Sequence, residues 1–279
     1  MNSQPEPVAE AEKPRPSRSS SFLQMLTIFL QQDLRFPILE GFAFVFVLSA
    51  FFFGVMNQSQ SSAQIASQYA SIVMEISLLI FMVLIWRNVS SGIGAELEKG
   101  QMQTYLTYPL SRGRLYFARL LSSVGVPLMV FAASQILALV IVAPAFLVRE
   151  GGTFWLVYLA AFGTPLFITA FILLMAQASK QGGLSLVAGV FSYFFLGLFL
   201  PVFVSLAESY HNAVAVGMLS VLNPLSPVLN HFNGDNCLGF GCVPPPTLLL
   251  AQEYVIANYI VSACFFTAGY FWFRKVVEA

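Results

Sequence analysis

Charge is what this chain has least of. Asp, Glu, Lys and Arg together make up 9% of its 279 residues, against roughly 25% in an ordinary soluble domain. Apolar residues make up 57% and the mean hydropathy is +0.76. A single soluble core needs far less apolar surface, so the long uncharged runs read as membrane spans. The formal net charge is zero, which gives no argument for nucleic-acid binding. No Lys follows a Gly, so a phosphate-binding G-K-S/T loop is absent. The two histidines, His211 and His231, lie far apart and form no H-E-x-x-H pair, and no G-x-S-x-G elbow occurs. The chain is therefore expected not to be an enzyme, to hold no metal and to carry no cofactor of its own. The first residues, Met1–Ser21, lack the apolar centre of a cleavable signal and are rich in Pro, Ser, Glu and Ala. They read as a disordered tail.

What is present is a set of apolar runs. At roughly 20 residues per crossing, six spans are expected, an all-α polytopic membrane protein. They fall near Pro37–Met56, Ala66–Trp86, Leu115–Val142, Phe154–Gln177, Leu184–Leu206 and Leu248–Phe273. Pro127 predicts a kink in the third, and Pro144 its exit. With the N-terminus inside, twelve of the thirteen basic residues fall on the inner side and Arg149 alone falls outside. The positive-inside rule then places both termini in the cytoplasm of a multi-pass cell-membrane protein.

Between tail and first span, residues 22–36 place Gln24, Thr27, Gln31 and Arg35 on one helical face. Phe22, Met25, Leu26, Phe29 and Leu30 cover much of the rest. That pattern predicts a helix lying in the headgroup region, ended by Pro37. On the outer side, residues 207–247 contain no Lys or Arg. The apolar piece Ala213–Leu222 is too short to cross, which predicts a re-entrant or interfacial helix whose irregular backbone needs protein cover. In the same tract Cys237 and Cys242, in CLGFGC, suit a structural disulfide in an oxidising compartment. Free thiols, or a metal site with nearby His231, are the other readings. Cys264 reads as a packing residue. Glu75 is read as the acid well inside a span. It serves either proton or substrate handling, or helix packing in a protonated or hydrogen-bonded form. Gly163, Thr164, Pro165, Gly182, Gly183, Gly189 and Gly197 punctuate the fourth and fifth spans, chiefly for close packing.

The polar island Glu98–Arg119, EKGQMQTYLTYPLSRGRLYFAR, is the most informative segment. Glu98-Lys99-Gly100 makes an acid–base–Gly step, and Pro109 follows nine residues after Gly100. Pro109-Leu110-Ser111-Arg112 makes Pro-x-Ser-Arg, and Arg119 lies seven residues beyond Arg112. This resembles the cytoplasmic loop of the type-2 ABC exporter permease family, with Gln101 where Thr is usual and Arg119 where Lys is more frequent. The resemblance implies a coupling helix within residues 87–114, between spans two and three. It also implies two permease halves, identical or paralogous, each docked on a separate ATP-binding subunit that holds ATP and Mg. Glu98, Lys99, Gly100, Arg112, Arg114 and Arg119 would then be docking residues, with Tyr105, Leu106 and Pro109 in the same surface and Tyr105 and Leu106 filling pockets. The plainer reading is that these arginines enforce topology. The alternatives are a proton-coupled carrier built on Glu75, or a membrane scaffold that moves no solute.

Overall fold

A computed structural model describes residues 18–34, 38–56, 75–105, 111–142, 144, 148, 151–233, 236–238, 241–243 and 245–276. The described chain is helical apart from one small two-stranded ribbon. Helix α1 (Arg18–Asp33) is followed by α2 (Ile38–Met56) and α3 (Glu75–Asn88). A π-helical segment, Val89–Gly94, continues α3 into α4 (Ala95–Glu98), and α5 (Gln101–Tyr105) comes after a turn. Helix α6 (Arg112–Leu120) runs through a second π segment, Leu121–Gly125, into α7 (Val126–Val142). Next come α8 (Gly151–Ser179), α9 (Gly182–Phe194), a third π segment (Phe195–Phe199) and α10 (Leu200–Ser209). The short α11 (Ala213–Leu222) and α12 (Leu225–Asn233) lead to the ribbon β1 (Asn236–Leu238) and β2 (Gly241–Val243), and α13 (Leu248–Val276) ends the bundle.

Among the described residues, four helices are long and apolar enough to cross a membrane: Leu78–Glu98, Arg112–Leu137, Gly151–Ser179 and Leu248–Lys275. The bent pair α11–α12 makes a fifth if it counts as one span. These make four to five of the expected six among the described residues. The segments expected at Pro37–Met56 and Leu184–Leu206 are helical, as α2 and the α9–α10 run, but neither is among the four. Two further boundaries move. The N-terminal helix begins at Arg18, inside the expected tail, and the second span continues beyond Trp86 to Glu98. Residues 87–98, expected to open a cytoplasmic loop, are therefore helix. Residues 1–17, Arg35, residues 57–65, Leu106, Pro109 and Arg149 lie outside the described residues, as does the side chain of Glu75.

Phenylalanines fill the centre. Phe131 on α7 lies 4.5 Å from Phe46 on α2, 4.9 Å from Phe81 on α3 and 5.2 Å from Phe162 on α8, centroid to centroid. Such ring pairs contribute about 0.5–1.5 kcal/mol each beyond the area they bury. Inside a bilayer packing of this kind, rather than water exclusion, holds helices together. Gln135 adds a polar tie from α7, donating to the Phe46 carbonyl at 3.0 Å. A π segment, Leu121–Gly125, ends two residues before Pro127, where a kink is expected. Proline has no N–H to give, and a π turn is one way a helix accommodates that.

The elbow between α11 and α12 bends by 105°, freeing helix-end carbonyls. Thr164 Oγ1 donates to the Leu222 carbonyl at 3.0 Å, and Asn258 Nδ2 to that of Val221 at 2.7 Å. Gly163 lets the elbow come close, since a Cβ there would lie 2.6 Å from Pro224 Cγ. The elbow is thus covered by α8 and α13.

Candidate functional site

The motif segment folds by local rules. Gly100 has φ 68°, a left-handed conformation that turns the chain from α4 into α5. Its N–H donates to the Leu97 carbonyl at 3.3 Å, and that of Lys99 to Ala95 at 3.0 Å. This is the usual way a glycine stops a helix. Ser111 is the N-cap of α6 and accepts from the Arg114 N–H at 3.4 Å, closing one of the first-turn donors. Two residues of the motif are therefore accounted for by backbone geometry.

Arg119 is accounted for by burial. It is 1% exposed, as is Glu96, and Asp33 is 4% exposed. Arg119 Nη2 donates to Glu96 Oε1 at 2.7 Å, and Nη1 lies 3.2 Å from Asp33 Oδ2. Ser122 Oγ donates to Asp33 Oδ2 at 2.6 Å, and Tyr105 OH to Glu96 Oε1 at 3.3 Å. The guanidinium carbon stands 4.5 Å from the centre of the Phe29 ring, a cation–π contact. Gly92 makes room for the group, since a Cβ there would approach Arg119 Cζ to 2.8 Å. One side chain on α6 thus joins α1, the π segment and α4. Two carboxylates face one guanidinium, so burial outweighs attraction at Asp33. Its carboxyl is raised above the ordinary 3.8 by desolvation, which Arg119 and Ser122 offset in part. Desolvation, and then Glu96, also raise the Tyr105 hydroxyl. Among the described residues, Arg119 Nε has no hydrogen-bond partner although it is buried. A buried ionic cluster with gaps adds little net stability, and its strength lies in fixing one arrangement.

A second junction lies on the other side of the same segment. Ser90 Oγ donates to the Gly182 carbonyl at 2.6 Å, and the Gly182 N–H lies 3.4 Å from Glu98 Oε2. A Cβ on Gly94 would come within 2.6 Å of Gly182 Cα. The start of α9 therefore rests directly on the π segment, backbone against backbone, with a carboxylate at its N-terminus where the helix dipole favours it.

The sequence-predicted docking residues divide. Glu98, Lys99, Gly100 and Arg114 are exposed, and Arg112 is half-buried. One correction applies: Arg119 is buried and faces inward. Tyr105 is half-buried, its ring edge-on to Phe29 at 5.3 Å. Asp33, Glu96 and Ser122 escaped the sequence reading. A signal for Asp33 existed, because it extends the stripe of Met25 and Phe29, both buried, by one further turn. His231 Nδ1 lies 2.9 Å from the Pro246 carbonyl, which takes that nitrogen out of metal coordination. Compared with protein-family models and with curated proteins, the chain matches none.

Proposed function

We propose that the chain is the permease subunit of an ATP-driven ABC transporter, an exporter, coupled to a separate ATP-binding subunit and paired with a second permease. In this reading six segments cross the cell membrane. They are α2, α3 with α4, α6 with α7, α8, the α9–α10 run and α13, with α11–α12 re-entrant and both termini cytoplasmic. The observation that supports it most is mechanical. The polar segment carrying exposed Lys99 and Arg114 is joined to α1 through Arg119 and to α9 through the Gly94–Gly182 crossing. Force applied to that segment by a soluble subunit reaches two membrane helices and the N-terminal helix through rigid contacts. ATP shifts such a two-state equilibrium only through contacts that differ between the states.

The test is co-purification in detergent with an ABC ATP-binding subunit encoded beside this chain, followed by ATPase assay. The expected result is a stable complex whose ATPase activity or assembly is lost in Lys99→Glu/Arg114→Glu. Both side chains are exposed, so the substitution spares the fold. A chain that binds no such subunit, or a double variant that couples normally, overturns the reading.

A further inference from the structure

We propose that the cavity between the end of α10, the bent pair α11–α12 and the first turns of α13 binds an organic cation with an apolar body. The cavity measures about 530 Å³, within the usual range for small-molecule sites. Val204, Val216, Pro227 and Leu250 supply apolar wall, while Glu208 and Tyr254 lie in the same lining. Glu208 is the lone carboxylate among the lining residues and none of them is Lys or Arg. Residues 207–247 contain neither. Among the described residues, the carboxylate of Glu208 has no cationic partner within ion-pair distance.

The geometry around Glu208 is fixed. The His211 N–H donates to the Glu208 carbonyl at 2.9 Å, and His211 takes the left-handed φ of 52° that turns α10 toward α11. Asn212 caps α11, accepting from the Ala215 N–H at 3.1 Å. The far wall is held by the Thr164 and Asn258 bonds to the elbow. A carboxylate at the edge of a largely apolar cavity, with no fixed Lys or Arg beside it, attracts a mobile cation. The Tyr254 ring adds a face on which a delocalised or quaternary cation rests. An anion of the same size meets that negative charge, and no Lys or Arg stands in the lining to offset it.

Tetraphenylphosphonium and tetraphenylborate share a shape and differ in charge sign, so the pair isolates the electrostatic claim. Binding of each to the full chain, purified alone in detergent, is measured by equilibrium dialysis at a pH where His is neutral and carboxylates are ionised. The phosphonium is expected to bind saturably and about tenfold or more tighter than the borate, and Glu208→Gln to weaken it about tenfold. Glu253→Gln, beside Tyr254 but outside the lining, is expected to change affinity by less than about twofold. Ala213→Trp, which fills the cavity without altering charge, is expected to remove binding. Equal affinity for the two ions, absence of saturable binding, or an unaffected Ala213→Trp protein each overturns the proposal, even if Glu208→Gln fails to fold. The measurement uses no ATP-binding subunit, so its failure is distinct from failure of the coupling reading.

Discussion

Arg119 on α6 and Glu96 on α4 form a 2.7 Å ion pair at a point where both side chains are buried. Removing the cation strands two carboxylates, Glu96 and Asp33. Arg119→Leu is therefore expected to cost about 3–5 kcal/mol, as does breaking other buried pairs. Adding Glu96→Gln and Asp33→Asn removes the stranded charges and is expected to return most of that loss. Thermal unfolding in detergent checks both steps. A triple variant no more stable than the single one would show that the cluster is not electrostatically balanced.

Asp33 also predicts a pH dependence. Its carboxyl is raised in the folded chain, chiefly by burial, so the folded state holds its proton more tightly than the unfolded one. That contribution is fully present below the ordinary value of 3.8 and is lost as pH rises through the raised value. Asp33→Asn cannot titrate. The stability difference between wild type and Asp33→Asn is expected to move against wild type as pH climbs through that window and then to level off. A difference that stays flat with pH would contradict the assignment.

The sequence made the membrane character, the N-terminal helix, the short helix Ala213–Leu222 and the polar segment legible, because each follows from composition or periodicity. The residues that lock the segment were harder to see. Glu96 stands two residues before the motif's first acid, and on a helix that spacing puts Glu96 and Glu98 on opposite sides. Glu98 reaches α9 while Glu96 points to Arg119. Arg119 misled for a related reason. A basic residue at a loop edge is usually solvated, and only tertiary packing shows that two acids and a phenyl ring enclose it.

Three glycines separate close approach from backbone conformation. Gly182→Ala puts a methyl 2.6 Å from the Ser90 carbonyl oxygen, and overpacking of that kind costs about 1–3 kcal/mol. Gly100→Ala meets no neighbour but must hold φ 68°, a left-handed strain of about 1–2 kcal/mol for a residue with a side chain. Gly183→Ala has open space around it and is expected to be neutral or slightly stabilising within its helix. Unfolding midpoints of the three single variants test this order. An equal loss at Gly182 and Gly183 would remove the backbone crossing from the account of how α9 meets the motif segment.

The ribbon's register bears on the readings of CLGFGC. Its antiparallel register sets Cys237 opposite Cys242. Directly opposed residues in such a pair have Cα atoms about 4.5–5.5 Å apart, inside the span a disulfide bridges. Cys264, the third cysteine, is on α13 and exposed. Alkylation of the denatured chain before reduction is therefore expected to label Cys264 alone, and after reduction to label all three cysteines. Three labels before reduction would mean free thiols. In the chain-entropy model a ring this short restricts the unfolded chain by about 2 kcal/mol. Reduction is accordingly expected to loosen the ribbon without unfolding the bundle.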